Sequence, residues 1–463
     1  MRHVIWLTLV VLAAIVAMSL LPEGITVGTY KVLPAHALDG LCDAVLRPDQ
    51  GQAIQDGQSQ QQDTPPSGGG GGGLDTCRAG LTCIEDFAWG ESVPRGMAPL
   101  YDALARRRAL GRPVRIAVLG DSYIQGDIFT APLRALLQQH YGGSGVGMVP
   151  VSNHGSNRFR RSVSHEFGTW EEHLANKRSG YDALHYGAIT SSYFTLPEGG
   201  SSWVSLQGVT QYACLDTCYS SQLLYYAPTA AASASATATL DGGATLRYTL
   251  GGEAGFGSVT ASGKMGRVRW DISGARGGIA FMGASMDPQP GGVSLDNFAM
   301  ESLSGYQLGA VPQALLEGMD AARHYDLVVL MFGQNVASPS YKKASAYNGY
   351  INHMTRILDN LKQAMPGTGF LVVSIGDREV KRGGSYVTPD GIKLMIAAQR
   401  QVAMEAYVAF FNLYEAMGGE GSVVKLVEKG MANKDYTHIN HRGGEELAPL
   451  LAEAIFWGEQ HFK

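Results

Sequence analysis

The stretch Arg115-Ile-Ala-Val-Leu-Gly-Asp-Ser-Tyr123 decides the fold. Its apolar run ends at Gly120, the pattern of a buried parallel strand meeting a loop. In an open α/β sheet the chemistry gathers outside the carboxyl ends of the strands, and Ser122 falls there. Downstream, Phe129, Leu133, Leu136 and Leu137 recur at helical spacing and predict an amphipathic helix. A serine between a strand end and a helix start has its own N–H and the helix dipole close to any oxyanion formed on it. The same position suits an N-cap serine, so Gly-Asp-Ser alone does not separate a nucleophile from a cap.

A partner base tips the balance, and the chain supplies one near its far end in Asp435-Tyr-Thr-His438. This spacing puts both side chains on one face of a turn, where the carboxylate reaches the imidazole Nδ1–H. The tautomer is then fixed and Nε2 is free to take a proton from a serine. Between these motifs, Asp326-Leu-Val-Val-Leu-Met-Phe-Gly333-Gln-Asn335 is a second strand-like run, ending in Gly-x-Asn. In this order the motifs resemble the blocks of the SGNH/GDSL hydrolase superfamily: Gly-Asp-Ser, Gly-x-Asn and Asp-x-x-His.

The resemblance implies a flavodoxin-like three-layer α/β/α hydrolase domain over residues 87–151 and 296–463. It implies Ser122 as nucleophile, His438 as base and Asp435 as the carboxylate that orients it. The oxyanion hole would use the Asn335 amide and the Ser122 backbone N–H. A further block, Leu295-Asp-Asn-Phe-Ala-Met-Glu-Ser-Leu-Ser-Gly305, aligns Ser302 with a glycine whose N–H is the third donor. A backbone N–H needs no glycine there unless φ is positive. Asp121 is expected to fold the loop behind Ser122, and His441 to be a bystander one turn beyond His438. Asp377-Arg378, past another strand end, is open between substrate contact and a surface ion pair.

The closing part independently alternates strands (Asp326–Gly333, Gly369–Gly376, Val408–Leu413) with helical stretches around Tyr347 to Met365 and Gly391 to Tyr407. A last helix carries Leu447, Leu450, Leu451, Ala454 and Ile455 on one face. This alternation argues a parallel sheet covered on both sides. Residues 152–295 differ: short alternating runs such as Ser201–Leu206 and Arg267–Ile272, separated by glycine turns, predict an inserted antiparallel β-sandwich. Some exported SGNH esterases acting on glycans, including peptidoglycan O-acetylesterases, carry an insert of this kind that resembles a carbohydrate-binding module. Trp203, Trp270, Tyr225 and Tyr226 either stack on sugars or fill the core. Tyr141–Pro150 is glycine-rich but lacks Gly-Lys-Ser/Thr and precedes no helix, so it reads as a packing loop and not a phosphate site.

Charged residues make up 17% of the 463 positions and the formal charge is −5, with no basic block, which argues against a nucleic-acid partner. Val4–Leu21 is apolar behind Arg2 and His3, so residues 1–22 read as a signal anchor or a cleaved signal peptide. Either places the body outside the cytoplasm, periplasmic or in the cell envelope, with the anchor reading tying it to the membrane. Residues 23–86, with Gln-rich Gln50–Gln62, Pro65-Pro66 and Gly68–Gly73, read as a flexible tether. Of five cysteines, Cys77 with Cys83 and Cys214 with Cys218 are spaced to close local loops, leaving Cys42 over. No zinc-ligand spacing is present, and neither metal nor cofactor is expected. The resemblance implies O-acetylesterase activity on an exported polysaccharide or peptidoglycan. O-Acetyl transfer to such a glycan is the alternative, and an inactive glycan-binding or assembly role on the same fold is a second.

Overall fold

A computed structural model describes residues 77–153, 160–176 and 180–461, with the backbone of two further strands, Ile25–Val27 and Tyr30–Val32. The chain divides into units Met1–Ser67 and Gly68–Lys463. Within the first, the two short strands pair antiparallel, in a stretch read from the sequence as tether. The apolar run Val4–Leu21, Cys42 and the Gln- and Gly-rich runs lie outside the described residues. Among the described residues, no helix is long and apolar enough to cross a membrane.

In the second unit, strands that are apolar on both sides build the central sheet. Ile116 and Val118 of the strand Val114–Gly120 join one hydrophobic layer, while Ala117 and Leu119 join the other. Leu327–Met331 and Gly369–Val373 repeat this alternation. A strand buried on both faces needs both covered, which parallel strands joined by crossover helices provide. The sheet order is Val293–Ala299, Val114–Gly120, Leu327–Met331, Gly369–Val373, Ala409–Phe411 and Glu85–Asp86. The first five are parallel. Numbered along the chain they run 2-1-3-4-5, the flavodoxin-like order, whose switch point lies between strands 1 and 3. Helices Ala98–Ala105, Thr130–Tyr141 and His441–His461 cover one face; Gln313–Ala322, Asn348–Ala364 and Asp390–Glu405 cover the other.

Glu85–Asp86 pairs antiparallel with Ala409–Phe411 at the sheet edge, and the Cys77–Cys83 disulfide precedes it. The segment 77–86, read from the sequence as the end of the tether, therefore closes the sheet. A two-residue strand has no periodicity to betray it.

The insert is a sandwich of two antiparallel sheets. One runs Thr245–Gly251, Ser233–Leu240, Arg267–Arg276, Gly200–Gln207, Ser164–Phe167. The other runs Gly255–Met265, Cys218–Ala227, Ala280–Met286, Ser192–Thr195, Glu171–Leu174, with Gly147–Val149 pairing on Ala280–Met286. Strand pairing in the sandwich thus begins at Gly147, and Val293–Ala299 already belongs to the central sheet. Trp270 is buried in the sandwich core and its Nε1 donates to Ser221 Oγ at 2.9 Å. Tyr226 packs against Tyr186 and Phe256. The Tyr225 hydroxyl accepts the Gly251 N–H at 3.3 Å, and Arg269 covers the Trp203 ring at 4.0 Å. These aromatics pack within the protein, as strand aromatics commonly do. The predicted Cys214–Cys218 bridge is absent; Cys214 is half-buried, Cys218 is buried, and each is a free thiol.

A fully buried guanidinium helps to fasten the sandwich to the α/β domain. Arg323 donates to Asp287 at 2.8 and 2.9 Å, to Asp296 at 2.6 and 2.9 Å, and to Gln222 at 2.7 Å. Asp287 follows the last sandwich strand, Gln222 lies in a sandwich strand, and Asp296 lies in the central sheet. Burial works against the Asp287 carboxylate, but Arg323 outweighs it and holds the carboxyl well below the usual range.

Candidate active site

Three loops meet at the carboxyl ends of neighbouring strands. Gly120 ends the strand Val114–Gly120, where a side chain has no room: a Cβ would lie 2.9 Å from the Met331 carbonyl oxygen. The close approach lets the Asp121 N–H donate to that same oxygen at 3.3 Å. Ser122 follows, half-buried, in a turn closed by the Gln125 N–H on the Ser122 carbonyl at 3.3 Å. The helix itself starts only at Thr130, after a short 3₁₀ turn over Gln125–Asp127. Ser122 is therefore no helix cap, and the helix terminus does not adjoin it as the sequence led us to expect.

Ser122 Oγ lies 3.0 Å from His438 Nε2, and His438 Nδ1 lies 2.8 Å from Asp435 Oδ2. The other Asp435 oxygen accepts the backbone N–H groups of Thr437 and His438, both at 3.0 Å. Burial raises the Asp435 carboxyl's pKa, but these donors and the imidazole more than offset it and hold it below the ordinary range. Carboxylate, ring and hydroxyl thus form one relay, with the ring tautomer set by Asp435. His441 opens the last helix; its Nδ1 is buried without a partner and burial pushes its pKa down.

The Gly-x-Asn motif needs its glycine. Gly333 sits at φ 136°, and a Cβ would come within 2.9 Å of Ile375 and 3.0 Å of Gln399. Two residues on, exposed Asn335 donates from Nδ2 to the Leu303 carbonyl at 2.8 Å, which leaves its second amide hydrogen for another acceptor. Ser302, beside Leu303, is at φ 63°. This is the left-handed region, so serine holds a conformation that glycine adopts freely, at a cost of about 1 kcal/mol. The loop carrying Ser302 is also tied to the strand Val114–Gly120, by the Met300 N–H on the Gly120 carbonyl at 2.7 Å.

Asp121 knits the arrangement from behind. Its carboxylate accepts the Tyr123 N–H at 3.1 Å and the Gln334 N–H at 3.2 Å, joining the Ser122 loop to the Asn335 loop. Burial pushes its pKa up to about 6, against the pull of those donors and of nearby His438. An aspartate in the unfolded chain titrates near 3.8. Between these values the folded state keeps a proton that the unfolded state has lost. Its stabilising contribution is thus full below about pH 3.8 and disappears as pH rises through about 6. At about 1.4 kcal/mol per unit this amounts to about 3 kcal/mol. Asp121→Asn cannot ionise, so its stability relative to wild type should improve by about that much between pH 4 and pH 7. Denaturation at several pH values checks this; a difference independent of pH would refute the assignment.

Residues that the motifs do not announce hold the loop after Ser122. Asp127, at φ 67°, is buried and accepts from Arg134 at 2.9 and 3.2 Å, from Asn297 at 2.8 Å, and from Thr130 and Ser162. Burial would raise its pKa, but Arg134 and Arg160 hold its carboxyl well below the usual range. Only the left-handed φ, invisible in the sequence, marks Asp127 locally. Asp377 is neither a substrate contact nor half of a surface ion pair: it is buried and accepts from Thr388 at 2.6 Å and from the Val423 N–H at 3.2 Å. Arg378 instead reaches the Ala337 carbonyl at 3.4 Å. A cleft of about 560 Å³, lined by Arg108, Tyr219 and Lys264 among others, opens near Gly292, at the amino-terminal end of the sheet, and holds none of the candidate residues.

No family model and no curated protein matches the chain. Among solved structures, a peptidoglycan O-acetylesterase superposes with TM-score 0.63 at 20% identity, covering 81% of this chain and 99% of the other. A family two carbohydrate esterase from Cellvibrio japonicus matches more loosely, with TM-score 0.27 and 10% identity over 65% of this chain and 100% of that one. A GDSL-like lipase from Parabacteroides merdae gives TM-score 0.28 and 16% identity over 35% and 73%. With its 2-1-3-4-5 sheet and sandwich insert, the chain has the fold of the SGNH/GDSL hydrolases.

Proposed function

We propose that the protein is a serine esterase that removes O-acetyl or similarly short acyl groups from an exported glycan. The observation that carries this reading is the relay from Asp435 through His438 to Ser122, with its 2.8 and 3.0 Å contacts. Ser122 Oγ attacks the ester carbonyl as His438 Nε2 takes its proton. The oxyanion is held by the Asn335 amide with the backbone N–H groups of Ser122 and Ser302. Losing one such donor costs about 3 kcal/mol of transition-state stabilisation. His438 returns the proton to the departing sugar hydroxyl, leaving an acyl-serine. Water, deprotonated by the same imidazole, then releases the carboxylic acid and restores Ser122.

The glycan part of the reading is supported by the likeness in fold to a peptidoglycan O-acetylesterase. Export, with residues 1–22 as anchor or signal and the following segment as tether, is supported by the apolar run Val4–Leu21 and the low-complexity sequence behind it. The test is acetate release from O-acetylated peptidoglycan and O-acetylated polysaccharide, with and without an added acceptor oligosaccharide. Free acetate in both conditions is the expected result. Acetyl groups recovered on the acceptor would make the protein a transferase, and no acetate from any ester would leave only a binding role.

A further inference from the structure

Between the strand Gly369–Val373 and the helix Asp390–Glu405 the chain leaves the catalytic edge of the sheet as a small hairpin. Val380–Arg382 pairs with Ser385–Val387 around Gly383 and Gly384, whose φ angles are 55° and 92°. Two glycines at positive φ make the tight turn that a two-residue hairpin requires. Every residue from Lys381 to Tyr386 is exposed, so no core explains the hairpin. A lone two-stranded hairpin is marginal in water, and this one is held by its base. The Glu379 N–H donates to the Tyr436 carbonyl at 3.1 Å, and Arg378 reaches the Ala337 carbonyl at 3.4 Å. The Tyr386 ring stacks on Tyr436 with centroids 3.8 Å apart. Tyr436 lies between Asp435 and His438, and Ala337 lies two residues past Asn335. The hairpin is therefore clamped between the loop that carries the base and the loop that carries the amide donor.

Register decides which way its charges point. Lys381 is paired with Tyr386, so the two share a face, the one turned toward Tyr436 and the His438 loop. Arg382 takes the other face and acts electrostatically on Asp390, which is already bonded to Lys342 at 3.1 Å. Tyr341, 39% exposed, stands in that neighbouring loop. The rim thus sets Lys381, Arg382 and Lys342 beside the rings of Tyr386, Tyr436 and Tyr341, with Asp390, Glu379 and Glu428 as the carboxylates nearby. Glu379, at the base, is raised in pKa by burial and by Asp377.

We infer that the hairpin is the glycan subsite, and that it takes a saccharide bearing carboxylates. Tyr386 on Tyr436 offers the apolar face on which a sugar ring lies, and Lys381 and Arg382 meet the carboxylates. This rests on the esterase reading of Ser122. The test compares wild type with Lys381→Ala/Arg382→Ala on p-nitrophenyl acetate, O-acetylated polyuronate, O-acetylated peptidoglycan and acetylated neutral xylan. The ratio of kcat/KM on a carboxylated polymer to that on p-nitrophenyl acetate should fall roughly tenfold in the variant, through KM, and the gap should close at high salt. The two carboxylated polymers distinguish a uronic acid from a peptide-borne carboxylate. Arg108→Ala/Lys264→Ala removes the same charge in the cleft at the opposite end of the sheet and should leave the ratio unchanged. An equal loss on neutral xylan, or an equal effect of the distant variant, would overturn the inference. If wild type hydrolyses no ester, the esterase reading fails, while weakened binding of de-acetylated polyuronate by the hairpin variant would still support the subsite.

Discussion

Ser122→Ala should lower hydrolysis of p-nitrophenyl acetate by about 10⁴- to 10⁶-fold while leaving thermal stability near that of wild type. The size of the effect follows from the relay. His438 Nε2 is 3.0 Å from Ser122 Oγ, and Asp435 is bonded to the far side of the ring. Without the hydroxyl the imidazole has only water to activate. Groups that act as a unit lose nearly everything when the nucleophile goes, and the remainder comes from binding and the oxyanion donors. Stability should hold because Ser122 is half-buried and its local turn is closed by main-chain bonds. Quenched wild-type enzyme should also carry an acetyl group on the peptide containing Ser122, and the variant none. Residual activity within tenfold of wild type, or acetyl trapped on another residue, would refute the assignment.

The largest effect on stability should come from Arg323→Met. Methionine fills much of the volume but leaves Asp287 and Asp296 buried, close together and without the guanidinium that bonds them, with Arg115 acting on them only through space. Breaking a buried pair by removing one partner costs about 3–5 kcal/mol, because the orphaned charge must be neutralised or hydrated. Tyr325, whose hydroxyl donates to Asp296 at 2.7 Å, and Ser285 and Ser294, which donate to Asp287 at 2.6 and 2.8 Å, cannot replace a full positive charge. Chemical denaturation measures the loss. Adding Asp287→Asn to Arg323→Met removes one stranded charge, so the double variant should be less destabilised than the sum of the two single changes. Strict additivity, or a loss below about 1 kcal/mol for Arg323→Met alone, would show that the network does not fasten the sandwich.

What the sequence makes legible here is whatever repeats locally. Ile116 to Leu119, Leu327 to Met331 and Gly369 to Val373 are short apolar runs ended by turn residues, and each is a buried parallel strand. The helix expected around Tyr347 to Met365 is Asn348–Ala364, and that around Gly391 to Tyr407 is Asp390–Glu405. The proposed nucleophile, base and acid could be singled out because each sits in a motif at a strand end or turn. Features that depend on distant pairing stayed hidden. The edge strand Glu85–Asp86 is defined by Ala409–Phe411, and Gly147–Val149 by Ala280–Met286. Asp377 looks like a surface residue after a strand until the helix Ser422–Glu428 comes to rest on it. The possible bridge between Cys214 and Cys218 failed for a related reason: Cys218 sits in a strand whose partners fix its direction. Ser302 was aligned with a glycine position from its motif alone, and its φ of 63° lies where glycine is the easier residue.

The strand order carries a consequence for how the chain assembles. The strand Val114–Gly120 lies between Val293–Ala299 and Leu327–Met331, and the entire sandwich is encoded before either neighbour. As the polypeptide emerges, at a ribosome or across a membrane, Ile116 to Leu119 must wait with both edges unpaired. The sandwich strands find most of their partners among themselves, so that body can close first and bring the two ends of its own sequence together. The insert is then a scaffold for the very sheet it interrupts, and cutting it out would remove the template along with the decoration.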